Sequence, residues 1–416
     1  MTTTRRDFLA VAGSSLAAAG WPAFLPRRSA FDLVIRGGTV LDGTGARGME
    51  RDLGISGGRI AAIGSRIARG KEEIDARGLA VAPGFIDMHS HGDGSLDEDP
   101  RAESVIRQGI TTIITGQDGG SRATGARDRS FTAHLAALEQ LHPAVNVATM
   151  VGLGTIRGAI VGSGDRPATA EEIDRMRSLV GAALEQGACG ASSGLEYTPG
   201  AFASPEELTA VLAPLRARGL PYATHQRNED DRLLDSIDES IAVARGAGCA
   251  LQISHLKTQG PRNWGKLDEA FQRIDEARGM GLDVAFDRYP YLAYSTGLTN
   301  LFPVWSRDGG TDAFLARLAD STTAPRIRAD ALAKVELIGG WNSVQITSVR
   351  AEEDRGAEGK RLGDYAESLG RDPYETATSL LRRSEGGVGM VGFAMSEENL
   401  ERILAHPLAM VCTDGG

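Results

Sequence analysis

Cysteine is scarce, with only Cys189, Cys249 and Cys412 in 416 residues. The odd count and the spacings match neither a disulfide framework nor a zinc knuckle, so the three read as buried thiols in a fold held by packing. Positive charge is also in deficit. Forty-five Lys+Arg stand against 55 Asp+Glu, a formal net charge of −10, which argues against the clustered basic surface that nucleic acid or an anionic membrane demands. A small-molecule partner remains as the default. Long low-complexity tracts and clear internal repeats are absent. Glycine, by contrast, is plentiful at 53 residues beside a hydrophobic fraction of 41%, a balance that indicates many tight strand-to-helix turns rather than disorder. The length suits one large barrel with an accessory piece, or two to three average domains.

The first 28 residues read as an address. Arg5 and Arg6 precede Asp-Phe-Leu and a weakly apolar Ala/Gly-rich stretch running to about Ala23, a pattern that resembles a twin-arginine export signal. The stretch is too short and small-residued for a membrane span. The expected destination is periplasmic or extracytoplasmic, with the twin-arginine export machinery as a partner. That route carries folded proteins, which suits a chain that loads a metal before it leaves the cytoplasm.

From residue 29 to about 80, short apolar runs separated by Gly-Gly turns (DLVIRGGTVLDG, DLGISGGRIAAIG, EEIDARGLAVAPG) predict a small β domain. From 81 to 416 apolar strands alternate with helical stretches, the pattern of repeated β-α units. Eight strands are expected at 78–91, 111–117, 145–152, 188–195, 220–226, 249–256, 282–291 and 408–414, the number that closes a (β/α)8 barrel. Thr169 and Ser204, each followed by acids in the first turn, mark two helix starts. The stretch from about 296 to 405 exceeds an ordinary connection and predicts an insertion over the barrel mouth. A closed barrel would place a final helix after Asp414, so the sequence is expected to be incomplete at its C-terminus.

Four of the seven histidines fall at predicted strand ends: His89, His91, His225 and His255. In a parallel barrel those ends converge on one face, and two residues in strand register project to one side, so His89 and His91 can reach a single metal ion. Asp414 ends the eighth strand, where a carboxylate can touch both a metal and its water and act as general base. A turn-forming Asp before Gly is the plain alternative. His134, His142 and His406 lie in helical or loop contexts and receive no catalytic role.

The motifs PGFIDMHSH, GITTIITGQDG, GASSGLEYTPG, ATHQRNE, ISHLK, DRYPYLAYST and CTDGG together resemble the amidohydrolase superfamily, and within it the N-acyl-D-amino-acid deacylases, or D-aminoacylases, over nearly all of the mature chain. The resemblance implies a TIM-like barrel and one or two divalent metal ions, usually zinc, held by His89, His91, His225, His255 and Asp414. It also implies hydrolysis of N-acyl-D-amino acids by metal-activated water. Better-known members carry a cysteine ligand where this chain has Asp118. Because two dications need a shared anion, Glu196, ending strand four, is expected to replace that thiolate, with Asp118 as runner-up and a rim ion pair as the plain reading of Glu196. Lys257 resembles the family's carboxylate-binding lysine, while Tyr197, Tyr289 and Ser295 fall where the family places substrate-orienting hydroxyls. Arg227 and Glu229 are expected to fix His225. A cyclic-amide hydrolase of the hydantoinase or dihydroorotase type shares much of this pattern but generally shows a lysine at the strand-four end, which is lacking here. An unusual dipeptidase and an inactive metal- or ligand-binding homologue complete the alternatives.

Overall fold

A computed structural model describes residues 29–416, and the export signal read at residues 1–28 lies outside the described residues. The chain divides into two compact units, one ending at Gly84 and the other running Phe85–Gly416.

The first unit is a single sheet. Its strands are β1 (Phe31–Val40), β2 (Met49–Ser56), β3 (Arg59–Gly64), β4 (Gly70–Asp75) and β5 (Ala80–Val81), ordered β3-β2-β1-β4 with β5 also paired to β1. The β2–β3 hairpin turns on Gly57 and Gly58, at φ +58° and +72°, a two-residue turn that matches strand twist only when both positions are left-handed. The stretch 78–91, expected as one strand, is divided. Ala80 and Val81 pair with Thr39 and Val40 in this sheet, and the barrel strand begins at Phe85.

The second unit begins with β6 (Phe85–Asp87), β7 (Ile110–Thr115), β8 (Asn146–Thr149), β9 (Val151–Gly152), β10 (Ala191–Gly194), β11 (Pro221–His225), β12 (Ala250–Ile253) and β13 (Val284–Arg288). An antiparallel excursion follows, ordered β14-β16-β15, from β14 (Ala293–Gly297), β15 (Val344–Val349) and β16 (Val388–Phe393), before the chain returns as β17 (Ala409–Val411). The pairs β6-β7-β8 and β9-β10-β11-β12-β13-β17 are all parallel. β8 and β9 are the third expected strand, interrupted at Met150, so eight strands surround the barrel. The last meets the first where Ser90 bridges Gly415, Asp414 N donates to His89 O at 2.9 Å, and Thr413 Oγ1 donates to Asp87 at 2.6 Å.

Helices coat the strands as the sequence pattern requires. Thr169 caps Ala170–Glu185 in a reciprocal box with Glu172, and Ser204 caps Pro205–Leu212. Their apolar faces, Leu212 among them, join Ile253 and Phe286 in the main core, each such fully buried side chain contributing about 1.5–3 kcal/mol of transfer free energy. The excursion has its own core, including Leu298, Phe314, Ile327 and Leu380. It occupies 293–393 rather than 296–405, because the helix Glu397–Leu404 places Ile403 in the main core and serves as the ordinary crossover to β17. Among the described residues no helix is long and apolar enough to cross a membrane. Cys249 and Cys412 are buried and Cys189 half-buried, and all three are free thiols.

Candidate metal centre and active site

Every cluster residue leaves its strand at or shortly after the C-terminal end, where the barrel brings distant sequence together. His89 and His91 follow β6, Asp118 follows β7, His225 ends β11, His255 follows β12, and Asp414 follows β17. Asp118 stands at the centre of the group. Its Oδ2 lies 3.4 Å from His89 Nε2, 3.4 Å from His91 Nε2, 3.6 Å from His225 Nδ1 and 3.4 Å from His255 Nε2. Asp414 Oδ1 lies 3.4 Å from His89 Nε2 and 3.2 Å from His91 Nε2. Asp118, His255 and Asp414 have φ of +52°, +36° and +50°. Non-glycine residues in this region store about 1–3 kcal/mol each, and their convergence on one point is typical of a site whose geometry outranks local comfort.

Glu196 does not occupy the shared position expected of it. Its Oε2 is 3.7 Å from His225 Nε2 and accepts a hydrogen bond from Asn300 Nδ2 at 3.1 Å, which holds the carboxylate to one side of the cluster. The left-handed turn at Asp118 instead carries the runner-up carboxylate across the barrel mouth, within reach of all four imidazoles. Arg227 also differs from expectation. Its guanidinium forks onto Glu239 and donates to the carbonyls of Ala201 and Ala203, away from His225. Glu229 is nearer His255, with Oε1 at 3.0 Å from Nδ1, than His225, with Oε2 at 3.9 Å from Nε2. Lys257 does turn toward His255, its Nζ 2.8 Å from Nδ1, but it also donates to Glu229 at 2.6 Å.

Several contributors have little sequence signal. Asp287, fully buried at the end of β13, accepts the backbone N–H of His255 at 2.7 Å and faces His89 Nδ1 at 3.4 Å. An acid on an inward barrel position was the cue that could have identified it. Asp87 accepts from Thr413 and thereby ties the first strand to the last. Tyr294, from the excursion, brings a buried hydroxyl without a hydrogen-bond partner to the cavity, as does Tyr289. Nothing in a β14 taken alone marks Tyr294.

The cluster opens into a cavity of about 530 Å³ also lined by Tyr197, Ser295 and Asn300. Tyr197 packs edge-on to His225 and its hydroxyl lies 3.3 Å from Thr296 Oγ1, while Ser295 is exposed to the cavity. His134, His142 and His406 are elsewhere; His406 stacks on Phe271.

Burial opposes charge on His89, His91 and His225, but the neighbouring acids outweigh it. Asp118 and Asp414 hold His91 up at about 9, and Glu229, Asp118 and Glu196 hold His225 up at about 10. Burial raises the Asp414 carboxyl, and His91 with the neighbouring imidazoles more than reverses this, keeping it ionised well into acid. The donor set fits a divalent cation on independent grounds. Both ring nitrogens of His89, both of His225 and Oδ1 of Asp118 are buried with no hydrogen-bond partner. Leaving such atoms bare costs about 1–3 kcal/mol each, and a cation would remove that cost for one nitrogen of each imidazole and for the carboxylate. One atom each from His89, Asp118, His255 and Asp414 lies within 4.8 Å of the others, and the same holds for His225, Glu229 and His255.

Comparison with known proteins agrees with this architecture. A profile described as the amidohydrolase family matches residues 72–378. N-acyl-D-glutamate deacylase of Alcaligenes xylosoxydans xylosoxydans is 35% identical over 92% of this chain and 74% of its own length. The D-aminoacylase of the same organism is 34% identical over the same shares. Among solved structures, N-acyl-D-glutamate deacylase from Bordetella bronchiseptica, complexed with zinc and a phosphonate inhibitor, superposes with a TM-score of 0.78 at 34% identity, covering 92% of this chain and 76% of that one. A D-aminoacylase structure gives 0.75 at 33% identity, with 92% and 75% covered. The chain therefore belongs to the amidohydrolase family, in the branch formed by the D-aminoacylases and N-acyl-D-amino-acid deacylases.

Proposed function

We propose that this protein hydrolyses the amide bond of N-acyl-D-amino acids to a carboxylate and a free D-amino acid, using a divalent metal held by His89, His91, Asp118, His225, His255 and Asp414. The observation that carries this reading is the gathering of four imidazoles around one carboxylate oxygen at 3.4–3.6 Å, in a chain at least one-third identical to deacylases along nearly its whole length.

A divalent cation held by these residues would supply Lewis acidity, lowering the pKa of water toward ~7 and polarising the scissile carbonyl. Zinc suits the imidazole and carboxylate donors. Asp414, ionised and at the cavity wall, takes the proton of the attacking water and returns it to the leaving nitrogen. Asp118 would supply the anionic donor that the family resemblance assigns to a cysteine. Glu229 Oε1 stands 3.0 Å from His255 Nδ1 and Asp287 Oδ1 stands 3.4 Å from His89 Nδ1, so each carboxylate backs the imidazole face turned away from the cage. Tyr289 and Lys257 line the cavity and would donate to the substrate's α-carboxylate, and Tyr197 and Ser295, also in its lining, would orient the substrate with their hydroxyls.

Metal analysis of the purified protein combined with a panel of N-acetyl-D-amino acids, N-acetyl-L-amino acids, hydantoins and β-aspartyl dipeptides tests the proposal. Turnover confined to the D-amino-acid derivatives supports it, and turnover confined to a cyclic amide or dipeptide refutes it. We further propose export through the twin-arginine route, supported by Arg5 and Arg6 ahead of the small-residue apolar stretch. Changing both to Lys should abolish export of a signal fusion.

A further inference from the structure

Beside the catalytic cavity lies a second one of about 190 Å³, and Glu196 and Asn300 line both. The Asn300–Glu196 hydrogen bond is therefore part of the partition between them. Three cations line this side cavity, and two are already committed. Lys334 donates to Asp230 Oδ2 at 2.6 Å and to Gln259 Oε1 at 2.8 Å. Arg227 forks onto Glu239. The acids Asp230 and Asp330 likewise have partners, in Lys334 and the Trp305 indole N–H.

Arg307 is different. It sits in a short 3₁₀ turn of the excursion, Val304–Arg307, is only 8% exposed, and uses its guanidinium once, donating from Nη2 to the backbone oxygen of Glu196 at 3.0 Å. Its Nε is buried with no partner. Burial outweighs the pull of Glu196 and Tyr197 and lowers its pKa, so the charge is under-compensated where it stands. Arg307 lines the side cavity; a buried guanidinium with an unsatisfied N–H is costly where it stands, and its planar fork matches a carboxylate.

We propose that the side cavity is the subsite for the side chain of the amino-acid portion of the substrate, and that Arg307 selects an acidic side chain by binding its carboxylate. The inference rests on the deacylase reading and names the substrate class within it. The scissile amide sits at the imidazole cage, and the side chain passes the Glu196–Asn300 partition into the cavity that Arg307 backs. The hydrophobic wall, from Leu301, Phe302 and Val304, covers the methylenes.

The test compares N-acetyl-D-glutamate with N-acetyl-D-glutamine, which differ only in the charge and donor pattern of the terminal group. Initial-rate kcat/KM is measured on the metal-loaded full chain, and calorimetric Kd on the same chain carrying Asp414→Asn. The wild type should favour the acid by about tenfold or more. Arg307→Gln should bring the acid-to-amide ratio close to one, and Arg307→Lys, which keeps the charge and loses the fork, should retain an intermediate ratio. A merely structural role would weaken both ligands in parallel and leave the ratio intact. That outcome, or a wild-type ratio near one, overturns the proposal. If neither compound is turned over, the deacylase reading fails, and the calorimetric ratio still decides the subsite.

Discussion

Gly392→Ala should show how closely the excursion is fitted to the active site. Gly392 on β16 is registered directly opposite Tyr294 on β14. A Cβ there would stand 2.3 Å from Tyr294 Cζ, 2.4 Å from Cε1 and 2.6 Å from the hydroxyl oxygen. Ordinary contact begins at 3.4 Å, so the ring must retreat by about 1 Å. The ring is buried and cannot swing free, which makes this an overpacking change costing about 1–3 kcal/mol. The same shift withdraws an unpartnered hydroxyl from the cavity. Loss of one neutral hydrogen bond to substrate removes about 0.5–1.5 kcal/mol, a few-fold to roughly tenfold in kcat/KM. Urea unfolding and initial rates on N-acetyl-D-amino acids should be measured for Gly392→Ala, Tyr294→Ala and the pair. Once the ring is gone the added methyl has room, so the stability cycle should close with a coupling of about 1 kcal/mol or more. Strict additivity, or a Gly392→Ala protein as stable as the wild type, would refute the packing argument.

Asp414→Asn should keep its metal by elemental analysis and lose about 10²–10⁴-fold in kcat; undiminished turnover would remove the general-base assignment. Asp118→Asn and Glu196→Gln separate the two carboxylates. The first should weaken divalent-metal affinity by about 10²-fold or more in a chelator competition, and the second should leave the metal content of the purified protein near that of the wild type. Glu172 gives a pH signature outside the site. Hydrogen bonds from Arg166 and from the Thr169 backbone hold its carboxyl down at about 2, against an ordinary value of 4.5. A depressed pKa in the folded state means the contribution is complete above about 4.5 and disappears as pH falls toward 2. The stability gap between wild type and Glu172→Gln should therefore be larger at pH 6 than at pH 2.5, and an equal gap at both would count against the linkage.

The barrel was legible because its strands are short runs between glycine-bearing turns, and His89, His91, His225 and His255 sit where such runs end. Parallel closure then requires those ends to meet, whatever their separation in sequence. Thr169 and Ser204 were equally readable, since capping acts within one turn of chain. The boundary of the excursion was less so. Its first strand, β14, continues from DRYPY without a break in apolar character, and only the placement of Ile403 in the main core shows where the ordinary crossover resumes. The ranking of Glu196 over Asp118 failed for a similar reason, because both are acids just beyond strand ends and strand order alone does not say which one crosses the mouth.

By itself the sequence determined that the four strand-end histidines, Asp118 and Asp414 could reach one site, since strand period and parallel topology act through neighbours in the chain. Tertiary structure alone decided what each of them does there. The left-handed turn at Asp118, the Asn300 bond that draws Glu196 aside and the Glu239 fork that occupies Arg227 depend on partners 104 and 12 positions away or on a backbone angle held against local preference. Such contacts are set by the packing of whole elements, to which the residue types at either end offer no guide.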